Sequence, residues 1–247
     1  MNDMPSLEIL LNKLRLPSMK SCHEEMAVSA SNNNWSYLQF LQELSILELH
    51  ERKQRRIERN LKKSGLSTGK TLAALDHEKL PKKVIQSLPQ LCSGGFVDRA
   101  ENVLAFGNPG TGKTHVTSAI CNELVLNGYK VLFTPAYRLV QHLLVSKRKL
   151  ELEKCLKKLD IYDVIALDDI GYIQQDREEM EVLFTFLAER YERRSIMITS
   201  NLVFSQWDRI FKDPLTTAAA IDRLVHHSTI LEFNGKSYRT EAAKRSQ

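Results

Sequence analysis

The chain has 247 residues, of which 43% are hydrophobic and 26% charged, with 35 Lys and Arg against 30 Asp and Glu. This length and composition suit one large domain, or a small and a larger one, and they exclude collagen-like, low-complexity and wholly disordered chains. No stretch approaches the roughly 20 apolar residues that span a bilayer, and the N-terminus lacks the apolar segment of a signal peptide. We therefore expect a soluble, cytoplasmic protein without a membrane partner.

The first predicted elements are helices over residues 6–16 and 35–63, with a polar loop at 29–34 whose Asn34 is a candidate cap for the second helix. The second helix becomes strongly basic, and residues 50–70 hold eight Lys and Arg against two Glu. Such a concentration of positive charge predicts a polyanionic partner, for which the phosphates of duplex DNA are the candidate; a solvated helix face or a protein-binding surface is the alternative. The candidate DNA contacts are Arg52, Lys53, Arg55, Arg56, Arg59, Lys62 and Lys63.

A connector that contains Pro81, Pro89 and Gly94-Gly95 follows this helix. We place the domain boundary at 75/76, which gives a helical DNA-binding or partner-binding domain over 1–75 and a second domain over 76–247. From residue 102 five short apolar runs alternate with helical patterns: NVLAF, KVLFT, DVIAL, SIMIT and TILEF. This alternation predicts an α/β domain with a mostly parallel sheet covered by helices on both faces.

The strongest motif lies between the first predicted strand and a helix predicted over 113–126. It satisfies the pattern G-x-x-x-x-G-K-[ST], which cradles the phosphates of a nucleotide with backbone N–H groups. In this context a chance Gly-rich turn is a weak alternative. Lys113 is predicted to reach the β- and γ-phosphates of ATP, and Thr114 to bind Mg²⁺. The candidate nucleotide-binding residues are Gly107, Asn108, Pro109, Gly110, Thr111, Gly112, Lys113 and Thr114.

Two carboxylates, Asp168 and Asp169, follow the apolar run at 163–167. Paired acids at the end of a buried strand repel each other, and a bound cation relieves that cost. We therefore predict Asp168 as a Mg²⁺ ligand and Asp169 as the group that polarises the attacking water. A solvent-exposed strand end is the alternative.

Two further candidates lie nearer the C-terminus. Asn201 follows the run at 195–199, and it comes close to the γ-phosphate if that strand lies between the other two; it could instead cap the next helix. Arg223 could enter the nucleotide site of a neighbouring subunit, or form a surface pair with Asp222. His226 and His227 have no third metal ligand near them in the sequence, so a surface or packing role is favoured over a metal site.

Four further stretches stand out within about residues 35–240: FVDRAENVL followed by GNPGTGKTH, then EEMEVLFTFLAERYERR, ITSNLVFSQWDRIFKDP and AAAIDRLVHHSTILEF. Together they resemble the AAA+ core of IstB-like transposition-helper ATPases of bacterial insertion sequences. The resemblance implies an AAA+ P-loop NTPase core, and about fifteen residues after TILEF leave no room for a helical lid domain. It identifies 107–114 as Walker A, Asp168 and Asp169 as the Walker B acids, Asn201 as the sensor and Arg223 as the arginine finger. Asp169 departs from the glutamate usual in AAA+ proteins.

The family resemblance also implies an activity and partners. It implies a Mg²⁺-dependent ATPase that assembles as a homo-oligomer on duplex DNA, largely independently of sequence, and works with a partner transposase. ATP hydrolysis would drive disassembly. Helicase-loader ATPases share the core motifs, so an adaptor of that type is the alternative, and a metabolic kinase is disfavoured because no acceptor-binding domain is evident.

Overall fold

The structure is a computed structural model that describes residues 5–172, 176–202, 206–207, 214–235 and 237. It divides into two compact units, residues 1–59 and 60–247. Residues 60–75 fall in the second unit, where the Lys70 carbonyl accepts a hydrogen bond from Asn122 Nδ2 at 3.0 Å. The assignment of separate functions to 1–75 and 76–247 stays a prediction.

The first unit is helical and contains α1 at Leu7–Lys13, α2 at Pro17–Asn32 and most of α3 at Tyr37–Ser64. The last residues of α3 belong to the second unit. Helix α2 was not predicted, and it includes residues 29–32 of the expected loop. Pro17 occupies its first turn, where a missing N–H costs nothing. The predicted cap at Asn34 is wrong, because Ser36 Oγ accepts a hydrogen bond from the Gln39 amide at 3.2 Å and so caps α3.

The predicted connector between the two parts is largely helical. Two 3₁₀ turns, Leu72–Ala74 and His77–Lys79, precede α4 at Lys82–Ser93 and α5 at Gly95–Asp98. Helix α4 contains Pro89 and buries Val84, Leu88 and Leu91, three residues at helical spacing. An amphipathic helix therefore occupies a segment whose prolines and glycines indicated a loop.

The five predicted strands are all present. They are β1 at Asn102–Gly107, β2 at Val131–Pro135, β3 at Val164–Asp168, β4 at Ser195–Ser200 and β5 at Ser228–Phe233. They form one sheet in the order β2-β3-β4-β1-β5, and every neighbouring pair is parallel. Because these strands are parallel and β4 lies between β1 and β3, the carboxyl ends of the three strands meet at the same edge, which fulfils the condition set for Asn201.

Helices connect the strands: α6 at Lys113–Leu126, α7 at Ala136–Arg148, α8 at Leu152–Leu159, α9 at Arg177–Arg190 and α10 at Pro214–Val225. Helix α6 has the predicted bounds. The segment between β2 and β3 forms two helices, α7 and α8, since Leu150 between them adopts a left-handed backbone with φ of 58°.

A buried arginine joins the amino ends of β3 and β4. Arg190 is 1% exposed and donates hydrogen bonds to the carbonyls of Leu159, Tyr162, Asp163 and Ser195 at 3.0–3.3 Å. Desolvation lowers the pKa of this guanidinium to about 10, so it remains charged at neutral pH. The side chain thus satisfies backbone carbonyls at the edge of the sheet opposite the Gly-rich loop.

In the part of the chain that the structure describes, no helix combines the length and the apolar character needed to cross a bilayer.

Candidate functional site: a phosphate cradle with two acids

The Gly-rich loop runs from the end of β1 into the start of α6. Gly107 has φ of 147°, and a Cβ atom there would collide with the carbonyl of Phe233. Gly112 has φ of 96° and immediately precedes α6, so it also occupies a region that side chains disfavour. The backbone can therefore follow a path that places several N–H groups and a helix N-terminus around one anion.

Lys113 lies inside this loop and is 5% exposed. Its Nζ donates to the carbonyls of Gly107 at 2.7 Å and Asn108 at 2.8 Å. The ammonium group is thus held within the curve of the loop, where a phosphate would meet it.

Thr114 and Asp168 come together although 54 residues separate them in sequence. Thr114 Oγ1 donates to Asp168 Oδ1 at 2.9 Å, because the first turn of α6 faces the end of β3. A hydroxyl and a carboxylate oxygen are the hard ligands that Mg²⁺ prefers. The two residues predicted as metal ligands therefore fit a magnesium ion.

Asp169 lies one residue beyond β3 and has φ of 55°, a left-handed backbone that is uncommon for aspartate. Its amide donates to Thr199 Oγ1 at 2.8 Å. The same hydroxyl donates to Asp168 Oδ1 at 2.6 Å, and Thr199 is fully buried in β4. Thr199 therefore links both acids, a role that sequence analysis missed.

Asn201 follows β4 and lies beside the acids, because β4 is located between β1 and β3 in the sheet. Its Oδ1 atom is buried and has no hydrogen-bond partner among the described residues. Gly171 packs so closely on the Asn201 side chain that a Cβ atom would collide with Oδ1. The alternative role of Asn201, as a cap of the next helix, involves residues 203–205, which lie outside the described residues.

These groups surround a cavity of about 450 Å³, which is within the range of small-molecule and cofactor sites. Asp168, Asp169 and Asn201 line one side, and residues 109–115 line another. The remaining wall comes from the segment before α4, namely Lys70, Ala74, Leu75, Asp76 and Leu80. Sequence analysis missed this wall, because nothing in the connector marks it as part of a site.

The connector segment is attached to α6 next to the cradle. The Thr71 carbonyl lies 3.3 Å from His115 Nε2, and the Lys70 carbonyl accepts a hydrogen bond from Asn122. Both partners are on α6, which begins with the phosphate-loop lysine. The wall formed by the connector is therefore attached to the helix that directly follows the Gly-rich loop.

Arg223 is not among the residues that line the cavity. Its guanidinium carbon lies 4.9 Å from the centre of the Phe184 ring, and Nη1 is buried without a hydrogen-bond partner among the described residues. The structure thus places the predicted finger on α10, packed against α9.

The candidate DNA contacts on α3 differ in their surroundings. Arg52 and Arg55 contact Glu48 Oε1 at 3.4 and 3.2 Å, and Glu48 Oε2 accepts hydrogen bonds from the amides of Ser18 and Met19. Although desolvation opposes it, these bonds and Arg52 together lower the pKa of Glu48. Arg52 and Arg55 therefore help to hold α2 on α3. The exposed members of the group include Lys53, Lys62 and Lys63.

Residues 9–246 match the family described as IstB-like ATP binding protein. An insertion-sequence ATP-binding protein of Sinorhizobium fredii is 44% identical over 98% of this chain and 81% of its own length. The insertion sequence IS21 ATP-binding protein of Pseudomonas aeruginosa is 37% identical over 98% of this chain and 92% of its own length. The similarity therefore covers nearly the whole of this chain and most of each relative.

The crystal structure of the DnaC helicase loader has a TM-score of 0.51 and 18% identity, over 62% of this chain and 89% of that one. At this identity the likeness concerns the fold alone, and it agrees with the expected α/β core of a parallel sheet covered by helices. The family match, the two relatives and the cradle agree with the resemblance seen in the sequence: the chain belongs to the family of IstB-like ATP-binding proteins.

Proposed function

We propose that the protein is an ATP-dependent helper of insertion-sequence transposition. It binds ATP with Mg²⁺, assembles on duplex DNA as a homo-oligomer and recruits or stimulates a partner transposase, and hydrolysis disassembles the complex. The names of its relatives support the insertion-sequence context. The observation that carries the ATPase part is the meeting of Thr114, Asp168, Asp169 and Asn201 at one edge of the sheet beside the phosphate cradle.

Each group around the cavity has a role in the proposed hydrolysis. Thr114 and Asp168 hold Mg²⁺, which when bound neutralises charge on the phosphate oxygens. Lys113 binds the β- and γ-phosphates. The Asp169 carboxylate orients and polarises the attacking water, and the Asn201 amide holds the same water or the γ-phosphate.

The hydrolysis proposal is tested by phosphate release and ATP binding of Asp169→Asn. We expect the variant to bind ATP and to lose turnover, because an amide cannot accept the proton of the attacking water. Asp163→Asn is the matched control, since Asp163 lies at the opposite end of the same strand and contacts Arg194 at 2.7 Å. Turnover of Asp169→Asn at the wild-type rate would show that another group is the base.

The wall formed by residues 70–80 is proposed to hold the nucleoside part of ATP. Leu75 and Leu80 are buried apolar residues of this wall, and they suit the face of a purine base. Leu75→Asp should weaken ATP binding while inorganic triphosphate, which has no base, binds as before. An equal loss for both ligands would indicate damage to the cradle instead.

Arg223 is proposed to complete the nucleotide site of a neighbouring subunit. The lining of this chain's own cavity, as far as the described residues show it, does not include Arg223, which is what a residue acting in a neighbouring site requires. Arg223→Ala should bind ATP and lose DNA-stimulated turnover. A mixture with Lys113→Ala should recover part of the activity, since each variant retains the half-site that the other lacks. No recovery at any ratio would count against action between subunits.

DNA binding is proposed to use the exposed basic residues of α3. Because these lysines meet phosphates without reading bases, binding should be largely independent of sequence and steeply dependent on salt. Changing Lys53, Lys62 and Lys63 to Gln should reduce the slope of log affinity against log salt by up to about 3, at about 0.9 per phosphate.

The control for this titration is a double change of two exposed lysines on α4, Lys82→Gln and Lys83→Gln. It removes charge of the same kind outside α3 and should leave the slope near the wild-type value. If the α3 variant and the control behave alike, net charge rather than this helix accounts for DNA binding.

The transposase partner is tested by co-purification with the product of the transposase gene adjacent to the gene for this chain. We expect the complex to require ATP and DNA and to be lost with Lys113→Ala. The absence of an adjacent transposase gene would favour the helicase-loader type of adaptor.

A further inference from the structure

Three metal-binding side chains meet at the turns before β4 and β5. Glu192 lies in the turn between α9 and β4, and His226 and His227 lie in the turn between α10 and β5. One ligand atom from each of the three lies within 4.8 Å of the others. No third ligand is near the histidines in the sequence, but the fold brings Glu192 to them.

We propose that Glu192, His226 and His227 form a binding site for a transition-metal dication of the Zn²⁺ class. Two imidazoles and one carboxylate favour Zn²⁺, Ni²⁺ or Cu²⁺ over Mg²⁺ and Ca²⁺, which prefer all-oxygen sites. Three protein ligands leave one coordination position for water in a tetrahedral complex.

The Glu192–His227 pair is already close to metal-binding distance, whereas all three ligand atoms lie within 4.8 Å of one another. His227 Nε2 lies 3.8 Å from Glu192 Oε1. Ligand atoms at about 2.1 Å from a tetrahedral zinc ion are about 3.4 Å apart. The side chains of Glu192 and His227 are 57% and 50% exposed, so they can close by a few tenths of an ångström without displacing core residues.

The backbone of the turn that carries both histidines is fixed. The amide of His226 donates to the carbonyl of Asp222 at 2.9 Å, and the carbonyl of His227 accepts from the amide of Asn102 at 2.7 Å. The turn is therefore attached both to α10 and to the first residue of β1. A site on such a turn loses less conformational entropy on binding than one on a free loop.

Tyr191 contacts one of the proposed metal ligands. Its hydroxyl oxygen lies 3.1 Å from His226 Nδ1. Metal-bound histidines usually donate their other ring N–H to such a partner, which fixes the tautomer. If Nδ1–H donates to Tyr191, the lone pair on Nε2 is available to the metal.

The proposed site is separate from the nucleotide cavity. Asn102, Ser195 and Ser228 begin their strands, so the turns before β4 and β5 lie at the amino edge of the sheet, whereas the phosphate loop leaves the carboxyl end of β1. Excess Mg²⁺ can therefore occupy the acids near Thr114 while the histidine site is titrated.

The test is calorimetric titration of Zn²⁺ into full-length, tag-free, chelator-treated protein in excess Mg²⁺. We expect one ion per chain, with His227→Asn and Glu192→Gln each binding at least about tenfold more weakly. His50→Asn, which changes an exposed histidine of α3, is the matched control and should bind as the wild type does.

Thermal unfolding with and without Zn²⁺ gives an independent measurement. A ligand that binds only the folded state raises the melting temperature, so Zn²⁺ should stabilise the wild type and His50→Asn but not the two site variants. The proposal is overturned if the wild type binds no Zn²⁺, or if both site variants bind it with unchanged affinity and stoichiometry.

Discussion

The position of Thr199 between the two acids leads to a sharp prediction for Thr199→Val. Valine has nearly the same shape but lacks the hydroxyl that donates to Asp168 at 2.6 Å and accepts from the Asp169 amide at 2.8 Å. The bond to the carboxylate contributes about 1.5–3 kcal/mol and the amide bond about 1 kcal/mol. We therefore expect the free energy of unfolding to fall by about 3 kcal/mol.

Catalysis should fall further than nucleotide binding in the same variant. The Asp169 amide anchors a residue with a left-handed backbone, and its release moves the carboxylate away from the attacking water. A displacement of about 1 Å costs up to about 100-fold in rate. Since Lys113 and the phosphate loop are unaffected, the dissociation constant of ATP should change little.

The assay combines phosphate release at saturating ATP with equilibrium binding of a fluorescent ATP analogue, both well below the melting temperature of the variant. Thr199→Ser keeps the hydroxyl and should recover most of the turnover and stability. Wild-type turnover in Thr199→Val, alongside an active wild-type sample, would refute the positioning role of Thr199.

Three other predictions concern individual charged side chains. Lys113→Ala removes the ammonium group bonded to Gly107 and Asn108 and should abolish ATP binding by equilibrium dialysis; wild-type affinity would exclude Lys113 as the phosphate ligand. Arg190→Met leaves buried carbonyls without donors and should lower the unfolding free energy in urea by about 3 kcal/mol, whereas a change below about 1 kcal/mol would contradict the role given to Arg190. Because the folded-state pKa of Glu48 is lowered, its stabilising effect is complete above about pH 5 and is lost as the pH falls through the folded pKa. The Glu48→Gln variant should therefore have a lower free energy of unfolding at neutral pH, and its stability should change less with pH in an acid titration followed by circular dichroism. Acid profiles with equal slopes for the two proteins would count against this explanation.

The sheet and its cradle could be predicted because their physical requirements leave a local trace in the sequence. Strands buried on both faces need continuous apolar runs such as the one at 163–167, and the loop at 107–114 needs glycines where a Cβ would collide. Helix α6 follows that loop directly, so even its bounds were predicted correctly.

Other features depend on contacts between distant segments. Thr199 lies beside Asp168 because Leu167 pairs with Ile198, and no local sequence pattern predicts this strand register. Glu192 meets His226 only through the strand order. Helix α2 was missed because its serines and asparagines individually favour turns and caps.

The strand order also has a consequence for biosynthesis. Val103 in β1 pairs with Met197 on one side and Thr229 on the other, so both of its neighbours are made long after the Gly-rich loop. Such distant pairings close large loops and form late in folding. A nascent chain that stops before residue 195 should therefore leave its phosphate loop unsupported and unable to retain a nucleotide, which ties nucleotide capture to near-complete translation.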